Sequence, residues 1–67
     1  MERKQWGRRI RAFRKLKGLT QEDLARKLGV SLSILGEIER ENRTPTPELV
    51  QQVSETLNVS IDEILVN

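Results

Sequence analysis

The sequence predicts an all-α fold of five short helices, folded as one domain over residues 1–67. Apolar residues recur at the three-to-four-residue spacing of a helix, and no stretch alternates apolar and polar residues as a strand does. Residues that start and stop helices stand at intervals between these apolar segments. The predicted helices are, in order, residues 3–17, 21–28, 32–39, 47–57 and 61–66.

The first helix is predicted from its apolar stripe. Trp6, Ile10 and Phe13 are spaced at i, i+4 and i+7, which aligns them on one side of a helix. Arg and Lys occupy most of the remaining surface. Gly18 follows and suits the left-handed conformation that ends many helices.

The second and third helices are predicted from their ends. Thr20 suits an N-cap, and Asp23 at the third helical position suits a short capping box with it. Gly29 ends the second helix. Ser31 suits the N-cap of the third helix.

The last two helices show the same signals. Pro47 follows Thr46 at the first helical position, where its missing N–H does no harm, and Asn58 suits a left-handed end. Ser60 and Glu63 have the spacing of a capping box. The chain therefore marks at least one end of every predicted helix, and both ends of the second and the fourth.

The composition argues against several classes of function. The chain has no Cys and no His, which removes disulfides, thiolate zinc sites and most acid–base catalysis near neutral pH. We therefore expect a binding protein and no enzyme, with no metal, cofactor or small-molecule substrate. The longest uncharged stretch, residues 29–36, falls far short of the roughly 18 residues of a membrane span. We expect no membrane contact and a cytoplasmic location.

The charge is distributed unevenly along the chain. Residues 1–17 hold eight basic side chains and one acidic side chain, whereas residues 18–67 hold four basic and nine acidic ones. A basic segment of this density predicts a surface that attracts a polyanion. The alternative is the solvated polar face of an amphipathic helix. We interpret Arg8, Arg9 and Arg11 as a source of solubility and long-range attraction.

The join between the second and third helices is the most discriminating feature. Only Gly29 and Val30 separate Leu28 from the cap at Ser31. So short a turn, with a glycine that accepts positive φ, makes two helices cross steeply. Ala25 leaves room for the close crossing. The pattern predicts a helix-turn-helix, whose second helix enters a DNA major groove.

The sequence resembles the Cro/C1-type (XRE, phage-repressor-like) helix-turn-helix family. The resemblance rests on GLTQEDLARKLGVS at 18–31, IER at 38–40, RTP at 43–45 and LNVSIDEIL at 57–65. It implies a compact, five-helix lambda-repressor-like domain. It also implies a prokaryotic transcription regulator, most often a repressor, that binds double-stranded operator DNA as a homodimer.

The resemblance assigns roles to particular residues. The implied DNA phosphate contacts are Thr20, Gln21, Arg14, Arg40 and Arg43. Arg14 also matches a family position that forms a partly buried ion pair with Glu39 and so orients the recognition helix. For Thr20 a plain helix cap is an equally good interpretation, and Arg40 matches less well than Arg43.

The recognition helix departs from the usual family pattern. The positions that match the implied base contacts are Leu32, Ser33, Gly36 and Glu37. Ser33 is an ordinary partner for bases, Glu37 suits a cytosine amino group, and Leu32 suits a thymine methyl. A carboxylate near phosphates is repelled unless a cation offsets it. The alternative hypothesis is that Leu32 and Ile34 form an apolar surface for a protein partner.

The carboxyl-terminal segment predicts a weak two-fold contact. Ile61, Ile64, Leu65 and Val66 offer more apolar surface than the last helix of a monomer needs. We assign Ile61 and Ile64 to the core, and Leu65 and, above all, Val66 to a dimer contact. A dimer would place two recognition helices about 34 Å apart, one turn of DNA.

Overall fold

In the computed structural model, residues 5–65 are described, and they form five α-helices without any strand. In chain order these are α1 (Trp6–Leu16), α2 (Gln21–Leu28), α3 (Leu32–Glu39), α4 (Pro47–Leu57) and α5 (Ile61–Ile64). The all-α prediction is confirmed, and α2, α3 and α4 have the bounds expected from the sequence. None of these helices is long and apolar enough to cross a membrane.

The first helix begins at Trp6, so the prediction of a helix was wrong at Gln5, and the start predicted at residue 3 lies outside the described residues. Gln5 is the N-cap residue, and its side chain makes no capping hydrogen bond. Instead, the backbone N–H of Arg8 donates to Oε2 of Glu41 at 2.8 Å. A carboxylate here suits the positive end of the helix dipole. A residue 33 positions away therefore caps α1, and no local pattern reveals it.

A left-handed residue stands at the end of α1, α2 and α4. α1 stops at Leu16 with Lys17 as its cap, one residue earlier than predicted, because Gly18 adopts φ +75° and turns the chain away. Gly29 and Asn58 end α2 and α4 in the same left-handed conformation. These three stop signals were recognised in the sequence.

Hydroxyl caps start the other four helices. Each hydroxyl accepts a hydrogen bond from the backbone N–H three residues later, and the four residues are Thr20, Ser31, Thr46 and Ser60. Asp23 and Glu63 complete capping boxes by accepting from the N–H of the capping residue at 3.0 Å. Since these contacts are local, the sequence alone locates these four helix starts.

The last helix is a single turn that ends at Ile64, so the predicted extension to residue 66 was wrong at Leu65. Leu65 has left the helix, although its N–H still donates to the Ile61 carbonyl at 2.9 Å. Val66 lies outside the described residues. Ile64 is fully buried but Ile61 is 37% exposed, so only Ile64 joins the core as predicted. One turn directs a single side chain inward, and Ile64 takes that position.

The core draws on all five helices. Its fully buried larger side chains are Ile10, Leu24, Leu35, Ile38, Val53, Leu57 and Ile64. Trp6 and Phe13 are only partly buried and pack against this cluster from outside. The stripe predicted for α1 therefore meets the core mainly through Ile10.

The approach of α1 to α3 depends on Gly7. A Cβ atom at this position would lie 1.8 Å from the carbonyl oxygen of Ile38 and 3.2 Å from the Cα of Glu39. Only glycine permits such close contact between the two backbones. The contact holds the amino-terminal turn of α1 against the carboxyl-terminal turn of α3, and the sequence pattern did not reveal it.

The turn between α2 and α3 has the predicted form. Gly29 adopts φ +71°, and the N–H of Val30 donates to the Ala25 carbonyl at 3.1 Å. Ala25 and Leu28 are both 4% exposed. The small side chain thus allows the two helices to pack closely beside the turn.

Candidate nucleic-acid interface

A buried polar cluster joins α1, α2 and α3. Arg14 donates from Nε to Oε2 of Glu39 at 2.7 Å and from Nη2 to Oε1 at 3.0 Å. Gln21 donates from Nε2 to the same Oε1 at 3.0 Å. Side-chain exposure is 9% for Arg14 and 2% for Glu39. We call Arg14, Gln21 and Glu39 the Arg14 cluster.

The contacts of the Arg14 cluster bear on the roles implied for Arg14 and Gln21. Arg14 also donates from Nη1 to the carbonyl of Leu19 at 2.9 Å, so every guanidinium nitrogen is engaged within the chain. These bonds give Arg14 a structural role, and its contact with a phosphate remains a prediction. Gln21 is half-buried and still borders solvent at the start of α2. It links that helix end to α3.

The amino terminus of α2 has the properties of an anion site. The first N–H groups of a helix lack helical partners and lie at the positive end of its dipole. The hydroxyl oxygen of Thr20 accepts from Asp23 N–H at 3.0 Å, which leaves the hydroxyl proton available for donation. The hydrogen bond from the Thr20 backbone holds the pKa of Asp23 below its usual range. Arg26 pairs with that carboxylate at 2.8 Å and offsets its charge.

Fewer residues of α3 are exposed than the sequence suggested. Leu32 is 45% exposed, and Ser33 is also exposed. Ile34 is half-buried and packs against the core, so the interpretation of Ile34 as an exposed surface residue was wrong. Gly36 is buried, with the Arg40 Nη1 atom 3.0 Å from the position that a Cβ would occupy. In this conformation Gly36 is covered and presents nothing to a base.

Glu37, the more exposed of the two acidic residues of α3, has a cationic partner. Arg43 donates from Nε to Oε1 of Glu37 at 2.8 Å, with 51% of the Arg43 side chain and 39% of the Glu37 side chain exposed. The two residues lie on either side of Glu41, which adopts φ +66°. That left-handed residue reverses the chain and returns Arg43 to α3. No pattern in the sequence revealed that Glu37 and Arg43 form a pair.

A family model described as helix-turn-helix matches residues 10–64 of the chain. The chain belongs to this family. The Cro/C1-type resemblance is thereby confirmed. YazB of Bacillus subtilis (strain 168), an uncharacterized HTH-type transcriptional regulator, is 61% identical over 64 residues, which are 96% of this helix-turn-helix chain and 93% of YazB.

Solved structures share the fold. A crystal structure of SinR, a master regulator for biofilm formation, in complex with DNA has a TM-score of 0.84 and 40% identity. It covers 91% of this chain and 98% of the SinR chain. The restriction-modification controller protein C.AhdI from Aeromonas hydrophila has a TM-score of 0.83 and 32% identity over 90% of this chain and 91% of its own.

Proposed function

We propose that this protein is a sequence-specific, double-stranded-DNA-binding transcription regulator, acting as a repressor, that inserts α3 into the major groove. The observation that carries the proposal is the Arg14 cluster, which joins the anion-binding end of α2 to α3 through Gln21 and Glu39. A phosphate bound at α2 would thereby set the position of α3 relative to the bases. The DNA complex of the related SinR supports this proposal.

In the proposed complex, phosphate contacts come from Thr20, Gln21, Arg40 and Arg43. Leu32, Ser33 and Glu37 face the bases. The function requires binding and no catalysis, and it places the protein in the cytoplasm with the nucleoid. Each base-specific side chain would contribute discrimination of about 1–3 kcal/mol.

A homodimer is part of the proposal, because one short recognition helix contacts few base pairs. Ile61 and Leu65 are each 37% exposed on and just after α5, which supports a weak two-fold contact there. Two recognition helices one DNA turn apart would then bind an inverted repeat. Sedimentation of the protein on its selected duplex should show two chains, and a strict monomer would contradict this part.

A protein partner on α3 is the less favoured alternative. It requires an apolar patch, yet Ile34 packs against the core and Leu32 alone remains among the larger exposed apolar residues of this helix. If α3 binds a protein, Leu32→Ala should abolish that binding and leave DNA affinity unchanged.

The decisive experiment is a binding selection on random duplexes. The wild type should enrich one inverted-repeat motif, and a double variant with Leu32→Ala and Ser33→Ala should not. Glu55→Ala, on the exposed side of α4, is the control and should enrich the wild-type motif. Affinity should fall with salt with a log–log slope on the order of −3 to −6 per domain, because each neutralised phosphate releases about 0.9 counterion. No motif together with a flat salt dependence would refute the proposal.

A further inference from the structure

A groove opens beside the Arg14 cluster, between the amino-terminal half of α1, the start of α2 and the end of α3. Its volume is about 610 Å³. The residues that line it are Gln5, Arg8, Arg11, Gln21, Glu39, Arg40 and Glu41. Gln21 therefore lies both in the groove wall and at the anion-binding end of α2, so the two features form one continuous surface.

The arginine side chains of the groove can bind an anion, whereas both of its carboxylates already have partners. Arg8, Arg11 and Arg40 are exposed, and within residues 5–65 none of their guanidinium groups forms an ion pair. Glu39 is neutralised by Arg14, and Glu41 accepts from the N–H of Arg8 at the positive end of α1. The free charge of the groove is thus predominantly positive.

The neighbouring arginine on α1 has a different environment. Arg9 donates from Nε to the carbonyl of Glu63, and its guanidinium lies 6.0 Å from the centre of the Phe13 ring. Arg9 therefore joins α1 to the end of α5. Arg8 and Arg11 lie one turn apart on α1, and no such contact joins their side chains to another residue of the range 5–65. The contacts of Arg9 thus go beyond the predicted role of a solubilising charge, whereas exposed Arg8 and Arg11 remain compatible with that role.

We propose that this groove binds a backbone phosphate of DNA, adjacent to the phosphate at the start of α2, through Arg8 and Arg11 with Arg40. This inference rests on the proposed function. Guanidinium groups match phosphate oxygens with paired hydrogen bonds, and three arginines line this one groove. Because Gln21 borders both sites, we expect the two phosphates to belong to the same DNA strand. Helix α1 then provides a second phosphate contact, which fixes the angle at which α3 enters the major groove of the DNA.

The test compares two pairs of charges on the same helix. The groove variant carries Arg8→Gln and Arg11→Gln, and the control carries Lys15→Gln and Lys17→Gln at the exposed other end of α1. Both lose two positive charges, so they lose similar long-range attraction. The salt slope of the groove variant should be about 1.8 less steep than that of the wild type, because two contacts release about 0.9 counterion each. The control should keep the wild-type slope.

The possible outcomes separate this inference from the function on which it rests. Equal slopes in the two variants, with normal DNA binding by the wild type, would overturn the groove contact and leave the proposed function intact. A wild type that binds no duplex would overturn both. Circular dichroism and thermal unfolding must show that both variants are folded. In addition, the Nε–H signals of Arg8 and Arg11 can be followed by NMR during a titration with inorganic phosphate, which should show only millimolar binding. Tight binding of phosphate, without a difference in salt slope between the two variants, would instead assign the groove to a free phosphorylated molecule.

Discussion

Arg43 holds one carboxylate oxygen of Glu37 at 2.8 Å and joins α3 to the loop that follows it. The pairing offsets the negative charge that would otherwise be repelled by phosphates, and the second carboxylate oxygen, Oε2, remains available to a base. Exposed ion pairs of this kind stabilise the fold by only about 0–1 kcal/mol. Their importance here lies in how Glu37 would approach DNA.

We expect Glu37→Gln to change the preferred base at one position in each half-site, with a loss of discrimination of about 1–3 kcal/mol. The reason is that a carboxylate accepts from a cytosine amino group, whereas an amide both donates and accepts. Affinities for the selected and a scrambled duplex check this. A uniform gain on every sequence would instead mean that Glu37 only repels phosphate.

Arg43→Gln should weaken binding to all duplexes, and the loss should be larger with Glu37 present than with Gln at that position. Removal of Arg43 leaves the carboxylate of Glu37 without its neutralising partner, which adds repulsion to the lost phosphate contact. The four affinities of a double-mutant cycle measure this coupling. Strict additivity would show that the ion pair does not persist on DNA.

Arg14→Met should destabilise the fold by about 3–5 kcal/mol, because it leaves the carboxylate of Glu39 buried without a cation. A loss of this size rivals the whole stability of a 67-residue domain, about 3–10 kcal/mol. Urea unfolding provides the measurement. The control is Arg26→Met, which removes the exposed partner of Asp23 and should cost less than about 1 kcal/mol. Adding Glu39→Leu to Arg14→Met should restore much of the stability. If Arg14→Met and Arg26→Met cost the same free energy of unfolding, the Arg14 and Glu39 pair is not buried.

Two glycine-to-alanine substitutions should have opposite effects. Gly7→Ala should destabilise by about 1–3 kcal/mol or more, since its Cβ meets the Ile38 carbonyl at 1.8 Å. Gly36→Ala should be neutral or stabilising by up to about 1 kcal/mol, because its Cβ meets only the movable end of Arg40 and alanine favours the helix. Thermal unfolding compares them. A stabilised Gly7→Ala variant would refute the close contact of α1 with α3.

Asp23 should contribute to the acid sensitivity of the fold. The backbone N–H of Thr20 lowers the pKa of Asp23 in the folded state from its usual 3.8. The stabilisation is therefore present above about pH 4 and is lost as the pH falls through the lower folded value. The stability of Asp23→Asn should decline less over that range, as measured by urea unfolding at successive pH values. Asp62→Asn in the first turn of α5 serves as the control, and an unchanged decline in Asp23→Asn would contradict the prediction.

The sequence by itself determined the helical class, the helix-turn-helix and the starts of α2 to α5. Each of these depends on contacts within three or four residues, such as Thr20 with Asp23 or the turn at Gly29. The Arg14 and Glu39 ion pair was also anticipated, but through family resemblance and not through local chemistry. Local hydrogen bonds leave a pattern that the chain itself displays.

The tertiary structure alone decided the contacts that connect distant parts of the chain. Glu41 caps α1 from 33 residues away, and the lack of a side chain at Gly7 lets the backbone of Ile38 pack closely against α1. The groove of Arg8 and Arg11 depends on both contacts, because they bring the end of α3 against α1. Helical periodicity shows which side of a helix is apolar, but it does not show which residue of another helix will lie against it. Packing of the whole core sets those distances, and with them the shape of the candidate interface.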